Sequence, residues 1–136
     1  MRVLSLALCL PLTLGAGSAA AQFEGMSVKP ILEMTRANWI AVREWDGQDL
    51  IYFTHIEVYR CGLSRIDYSV NDGKAQSYAA EPCHEGRTPP NAMTLEGHLP
   101  FVAQPLGSVD TVTVRLTFED GSEASARFDR AGALID

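Results

Sequence analysis

The chain has 136 residues, of which 46% are hydrophobic and 21% are charged, with 11 basic and 17 acidic side chains. This size and composition match one globular domain, and they exclude a multidomain assembly, a collagen-like chain and a disordered acidic tail. The formal net charge of −6 weighs against binding to nucleic acid or to an anionic membrane surface.

The first 21 residues have the pattern of a secretory signal peptide. Arg2 precedes an apolar stretch over residues 3–14, and Ala19–Ala21 form a small-residue cleavage site. The apolar stretch is shorter than the roughly 20 residues that a membrane helix needs. We therefore expect residues 22–136 to be a single exported domain, in the periplasm or outside the cell, with no stable membrane insertion after cleavage.

Two cysteines, Cys61 and Cys83, remain once the expected leader and its Cys9 are removed. In an exported protein an even number of cysteines indicates disulfide bonding, and two cysteines allow one pairing. The spacing is not Cys-x-x-Cys, so a reactive or metal-binding thiol pair is disfavoured. The sequence predicts a Cys61–Cys83 disulfide.

The first half of the domain is predicted to be mostly strands. Residues 31–36 indicate one short helical turn, and residues 38–45 form a strand on which Trp39 and Trp45 share a face. A turn over residues 46–49 follows, and its Asp and Gly residues suit tight turns. Residues 50–61 are rich in β-branched and aromatic side chains, which predicts one long, buried strand.

A hairpin is predicted around Asp72-Gly73, because this dipeptide favours a two-residue turn between strands. Residues 65–71 alternate between apolar and polar, and residues 74–80 return alongside them. This pairing places Tyr78 outward beside Asp67. The hairpin resembles those in the middle of many exported immunoglobulin-like domains, and the resemblance concerns architecture alone.

The second half is predicted to contain a long loop, an edge strand and a second hairpin. The loop over residues 81–94 has three prolines and is pinned by Cys83, and residues 95–104 hold the edge strand. Strands over 110–118 and 123–129 keep apolar side chains on one face only if three residues join them. We predict the loop Asp120-Gly121-Ser122, with the glycine at positive φ.

Six or seven short strands without a long amphipathic helix indicate an all-β fold. The predicted architecture is a small antiparallel β-sandwich of immunoglobulin-like size, with a small closed β-barrel as the alternative.

The function predicted from the sequence is non-enzymatic binding of a macromolecule, with a protein partner in the cell envelope and no cofactor. The chain has no Gly-rich phosphate loop, dinucleotide fingerprint or G-x-S-x-G serine. One form of this hypothesis is an inhibitor of a basic cell-wall hydrolase, since negative charge steers a cationic enzyme toward the protein. The candidate binding residues are Trp45, Tyr59, Tyr78, His84 and Arg87; Trp39 is expected in the core.

A periplasmic metal-binding protein is the alternative function. His84, Glu96 and His98 flank the proline-rich loop, and they could meet around zinc or copper if the loop folds back. The simpler interpretation is that these histidines lie separately on the surface beside carboxylates.

Overall fold

A computed structural model describes residues 27–136 and places them in two antiparallel sheets with a few short helices. The predicted signal peptide, residues 1–21, lies outside the described residues. The elements in chain order are α1 (Lys29–Met34), a 3₁₀ turn (Arg36–Asn38), β1 (Ala41–Trp45), β2 (Gln48–Tyr52), α2 (Thr54–Val58), a second 3₁₀ turn (Arg60–Gly62), β3 (Leu63–Val70), β4 (Gln76–Ser77), β5 (Phe101–Pro105), β6 (Thr111–Phe118) and β7 (Glu123–Asp129).

The two sheets have the strand orders β1-β2-β5 and β4-β3-β6-β7. One hydrophobic core joins them, with Ile51 of the small sheet and Val112, Leu116 and Phe128 of the large sheet fully buried. The β-sandwich prediction is confirmed, and the closed-barrel alternative is wrong because the described strands form two separate sheets. Within residues 27–136, no helix is long and apolar enough to cross a membrane.

The β6–β7 hairpin follows the predicted alternation. Pairs such as Val114 with Ala126 and Leu116 with Ala124 bring inward-facing side chains together. Three residues join the strands, as predicted, and Gly121 has φ +84°. The loop is Glu119-Asp120-Gly121, one residue earlier than expected, because the Phe118 amide donates to the Ser122 carbonyl oxygen. A turn that ends on a left-handed glycine is the usual three-residue connection.

The β3–β4 hairpin differs from the prediction by one residue. The turn centres on Asn71 and Asp72, both at positive φ, and Asp67 pairs with Ser77. A shift of one residue exchanges the two faces of a strand. Tyr78 therefore lies opposite Ile66 and is buried, so the prediction that it faces outward is wrong.

The predicted long strand over residues 50–61 is also wrong in its second half. β2 ends at Tyr52, and α2 and the second 3₁₀ turn follow. Phe53, Ile56, Glu57 and Arg60 are buried, a spacing of three and four residues that is helical. Because two of these residues are charged, the helical period was not visible as a hydrophobic pattern.

The two tryptophans have opposite environments. Trp39 precedes β1 and is fully buried, with its indole N–H donating to the Leu32 carbonyl oxygen at 2.8 Å. Trp45 ends β1, is 58% exposed, and carries the Arg43 guanidinium over its ring. Trp39 is in the core, as predicted, but the prediction that both tryptophans share one strand face is wrong because Trp39 is outside the strand.

Candidate functional site

A long irregular segment leads from β4 to β5, and residues 82–99 of it are called the 82–99 loop here. It contains no helix or strand. Irregular segments of this length in compact domains are usually either functional or disordered. The predicted disulfide is confirmed, since Cys83 at the start of the loop is bonded to Cys61 in the second 3₁₀ turn. The loop is therefore tied covalently to the segment that follows α2.

The Arg60 side chain fixes the loop from inside the molecule. It is only 3% exposed, and its guanidinium faces the loop. Nη2 lies 3.2 Å from a carboxylate oxygen of Glu81. The remaining N–H groups donate at 2.8–3.1 Å to the backbone carbonyl oxygens of Glu57, Pro82, Asn91 and Ala92. One buried cation thus holds both the start and the middle of the loop.

The Glu81 carboxylate holds the loop near its far end. It accepts hydrogen bonds from the Thr94 hydroxyl at 2.7 Å and from the backbone N–H groups of Thr94 and Leu95. His84 Nε2 lies 3.2 Å away on the other oxygen. These donors, the Thr94 hydroxyl above all, lower the pKa of Glu81 to about 2 although burial opposes them. Glu81 is therefore a carboxylate at neutral pH.

Glu57 of α2 is a second buried carboxylate beside the first. Its Oε1 contacts His98 Nε2 at 2.5 Å, the Tyr78 hydroxyl at 2.9 Å and the Glu81 backbone N–H at 3.3 Å. Burial and the Glu57 contact raise the pKa of Tyr78 far above its usual range, so the phenol stays protonated and donates. His98 thereby ties the end of the loop to α2.

Buried ion pairs of this kind are poor sources of net stability. Taking charges out of water costs several kcal/mol per ion, and apolar replacements are often as stable. The buried charges instead give the loop a defined shape, because the hydrogen bonds of Arg60, Glu81 and Glu57 fix its backbone at several points. The loop is preorganised by polar contacts where it has no sheet or helix to order it.

The outer surface of the loop displays two leucines. Leu95 is 50% exposed and Leu99 is 60% exposed, on either side of Gly97. Leu95 also has φ +57°, a left-handed conformation that is costly for a residue with a large side chain. Its N–H donates to Glu81 at 2.7 Å, so the carboxylate holds the strained residue in place. Strain of this kind concentrates at functional sites.

The structure separates the aromatic residues that the sequence suggested for binding. Trp45 pairs with Gln48 at the start of β2, whereas Tyr59 follows α2 beyond the end of β2. Tyr59 is half-buried against His55, and Tyr78 is stacked on Phe53 in the core. Tyr78 is therefore not available for an exposed binding surface with Trp45 and Tyr59.

The charged and metal-ligand candidates lie on the loop but point to different partners. Arg87 and Glu96 are exposed, and His84 and His98 contact Glu81 and Glu57 respectively. Between residues 27 and 136, no group of three or more His, Cys, Asp or Glu side chains is placed to hold a metal ion. The histidines serve as contacts between the loop and the buried carboxylates.

Sequence reasoning missed the residues that shape the loop, namely Glu57, Arg60 and Glu81. The one sequence pattern that indicates α2 is the helical spacing of positions 53, 56, 57 and 60, and it is visible only if the charged residues are counted as buried. No sequence pattern indicates that Leu95 and Leu99 are exposed on the loop. The left-handed backbone at Leu95 depends on the Glu81 carboxylate, which is 14 residues away in the sequence.

Comparison with protein-family models, with curated proteins and with solved structures found no match to this chain.

Proposed function

We propose that this chain is an exported, non-enzymatic binding module that contacts a protein partner through the 82–99 loop. The observation that carries the proposal is the preorganised loop itself, with buried charges holding an exposed segment that presents Leu95 and Leu99. A disulfide-tied domain of this kind is compatible with the periplasm or the cell exterior.

Preorganisation is what gives a loop affinity. Ordering a flexible segment on binding costs about 0.5–1.5 kcal/mol for each immobilised side chain. The loop avoids much of this cost because Arg60, Glu81 and the disulfide already order its backbone. An apolar centre surrounded by a polar rim is the usual layout of a protein interface. Leu95 and Leu99 provide such a centre, although tryptophan, tyrosine and arginine are the commoner anchor residues.

The charge of the chain favours a basic partner. With a formal net charge of −6, the protein attracts cationic proteins over distances up to about 8–10 Å at physiological salt. A rigid loop that enters the cleft of an enzyme is a common form of inhibition. We therefore propose a basic cell-wall hydrolase as the partner, with the apolar anchors giving affinity and the net charge giving a faster association.

The test is inhibition of purified cationic cell-wall hydrolases, a lysozyme among them, by the oxidised protein. We expect inhibition that weakens as salt rises, and a double variant Leu95→Asp with Leu99→Asp that loses at least about tenfold in affinity. The matched control is Leu106→Asp, because Leu106 is equally exposed, at 56%, but follows the far end of β5.

Two results would contradict the proposal in different ways. Equal losses in Leu106→Asp and in the double variant would show that the 82–99 loop is not the contact surface. Binding that does not depend on salt would remove the electrostatic argument for a basic partner.

A further inference from the structure

A cavity of about 290 Å³ lies beside the disulfide, on the side of β3 that faces residues 80–85. β4 pairs only with Asp67 and Tyr68, so no described strand flanks the first residues of β3 on this side. The cavity occupies this gap. Its size is at the lower end for small-molecule sites, which limits an occupant to a few residues of peptide or to a molecule of similar size.

The walls and the rim of the cavity differ in chemistry. Leu63, Ile66 and Ala80 contribute apolar surface, and the Cys61–Cys83 disulfide lines the same space. Five charged residues also line the cavity. Arg60 and Glu81 are buried and paired with each other, whereas Arg65, Glu85 and Glu119 are exposed and are called the rim charges here. An occupant therefore needs an apolar part together with groups that complement both signs of charge.

Within the described part of the chain, the rim charges have free hydrogen-bonding groups that a ligand could use. Arg65 uses only its Nε, which donates to Asp67 at 2.8 Å, and its side chain is 63% exposed. Its two terminal nitrogens have no hydrogen-bond acceptor within residues 27–136, and there the carboxylates of Glu85 and Glu119 have no hydrogen-bond donor. A guanidinium with two free nitrogens suits a carboxylate, and carboxylates suit an ammonium group.

We infer that this cavity binds short peptides with free ends, such as dipeptides that carry an apolar side chain. The ligand carboxylate pairs with Arg65, and its ammonium group pairs with Glu85 and Glu119. Its peptide group lies along the open edge of β3, in the manner of a short added strand. The apolar side chain contacts Leu63 and Ala80. This inference does not depend on the proposed function, because Leu95 and Leu99 take no part in it.

The experiment is a titration of the ¹⁵N-labelled, oxidised protein with the dipeptide Ala-Leu, followed by NMR. We expect saturable shifts of backbone amides at residues 63–66, 80–85 and 119. N-acetyl-Ala-Leu and Ala-Leu amide each remove one charged end, and each is expected to bind at least about tenfold more weakly. Free leucine, which lacks the peptide group, is expected to bind more weakly as well.

The variant Arg65→Gln assigns the carboxylate contact. It should bind Ala-Leu and its amide with the same affinity, whereas the control Lys74→Gln, an exposed lysine in the β3–β4 turn, should keep the preference for the free carboxylate. The absence of saturable shifts up to about 10 mM would overturn the inference. So would equal binding of free leucine or of the blocked dipeptides, or an Arg65→Gln variant that still prefers the free carboxylate.

Discussion

The β3–β6–β7 part of the large sheet and the 82–99 loop are both well-defined structures, but different forces hold them. In the sheet, alternate side chains such as Val112, Val114 and Leu116 are fully buried, and strand pairing satisfies the backbone. In the loop, Arg60 and Glu81 reach from inside the molecule and bond the backbone groups of residues 82, 91, 92, 94 and 95. A few backbone hydrogen bonds within the loop, such as that from His84 N–H to the Pro90 carbonyl oxygen, add to these contacts. The comparison shows that buried charges can bind the backbone of an irregular segment at several points where strand pairing is absent.

Substitutions in the two regions should therefore destabilise the protein in different ways. Removing an apolar side chain from the sheet leaves a cavity, and the free energy of unfolding falls while the rest of the structure persists. Removing one charge from the loop network leaves its partner buried and unpaired, which is costly. The variants below separate these two behaviours.

The largest effect is expected from Arg60→Met. It leaves the loop carbonyl oxygens without their side-chain donor and the buried Glu81 carboxylate without its charged partner. We expect the free energy of unfolding to fall by about 3–5 kcal/mol in urea denaturation. Phe128→Ala in β7 is the matched control, with a similar expected cost of about 3–5 kcal/mol. In a double variant Arg60→Met with Glu81→Gln, part of the loss should return, because the amide carries no charge and its oxygen can still accept from Thr94 and Leu95. No recovery would mean that the ion pair is not the source of the loss.

Replacement of both cysteines is expected to have the next largest effect. The Cys61–Cys83 bond closes a loop with a sequence separation of 22, and its loss should cost about 3 kcal/mol because the unfolded chain gains freedom. In the oxidised protein, Arg60 and the disulfide both hold the start of the loop. Limited proteolysis of Cys61→Ala with Cys83→Ala should therefore cut first within residues 82–99. First cleavage in β6 or β7 would contradict the separation of the two regions.

The smallest effect is expected from Thr94→Val, which removes the hydroxyl that contributes most to the low pKa of Glu81. The loss of one hydrogen bond to a charged group should cost about 1.5–3 kcal/mol at neutral pH. Because the folded pKa of Glu81, about 2, is below its ordinary value of 4.5, its stabilisation is present above pH 4.5 and is lost as the pH falls toward 2. In Thr94→Val the pKa rises, so acid unfolding should begin at a higher pH. An unchanged acid midpoint would show that the hydroxyl does not set this pKa.

The sheet was largely predictable from the sequence, and the loop network was not. Strict alternation over residues 112–118 identifies the buried face directly, and the length of the β6–β7 loop follows from it. The disulfide followed from the number of cysteines. The β3–β4 register was missed because Asn71-Asp72 and Asp72-Gly73 are both acceptable turns, and the choice between them depends on Tyr78 packing against Phe53.

The candidate site could not be predicted from local sequence patterns, because its contacts join residues that are distant in the sequence. The β-branched and aromatic side chains of residues 50–61 predict a strand. The burial of Glu57 and Arg60 requires partners more than 20 residues away. Charged residues are almost never buried without such partners. The local sequence pattern does not indicate that these partners exist.

The most direct test of the loop's dependence on buried charge is hydrogen exchange at the backbone amides of Thr94 and Leu95, both of which donate to Glu81. It should be measured in Arg60→Met and in Phe128→Ala under conditions where both variants remain folded. We predict that Arg60→Met loses protection at these two amides while the amides of β6 and β7 stay protected, and that Phe128→Ala shows the reverse. Equal protection of Thr94 and Leu95 in both variants would contradict the claim that Arg60 and Glu81 hold the 82–99 loop.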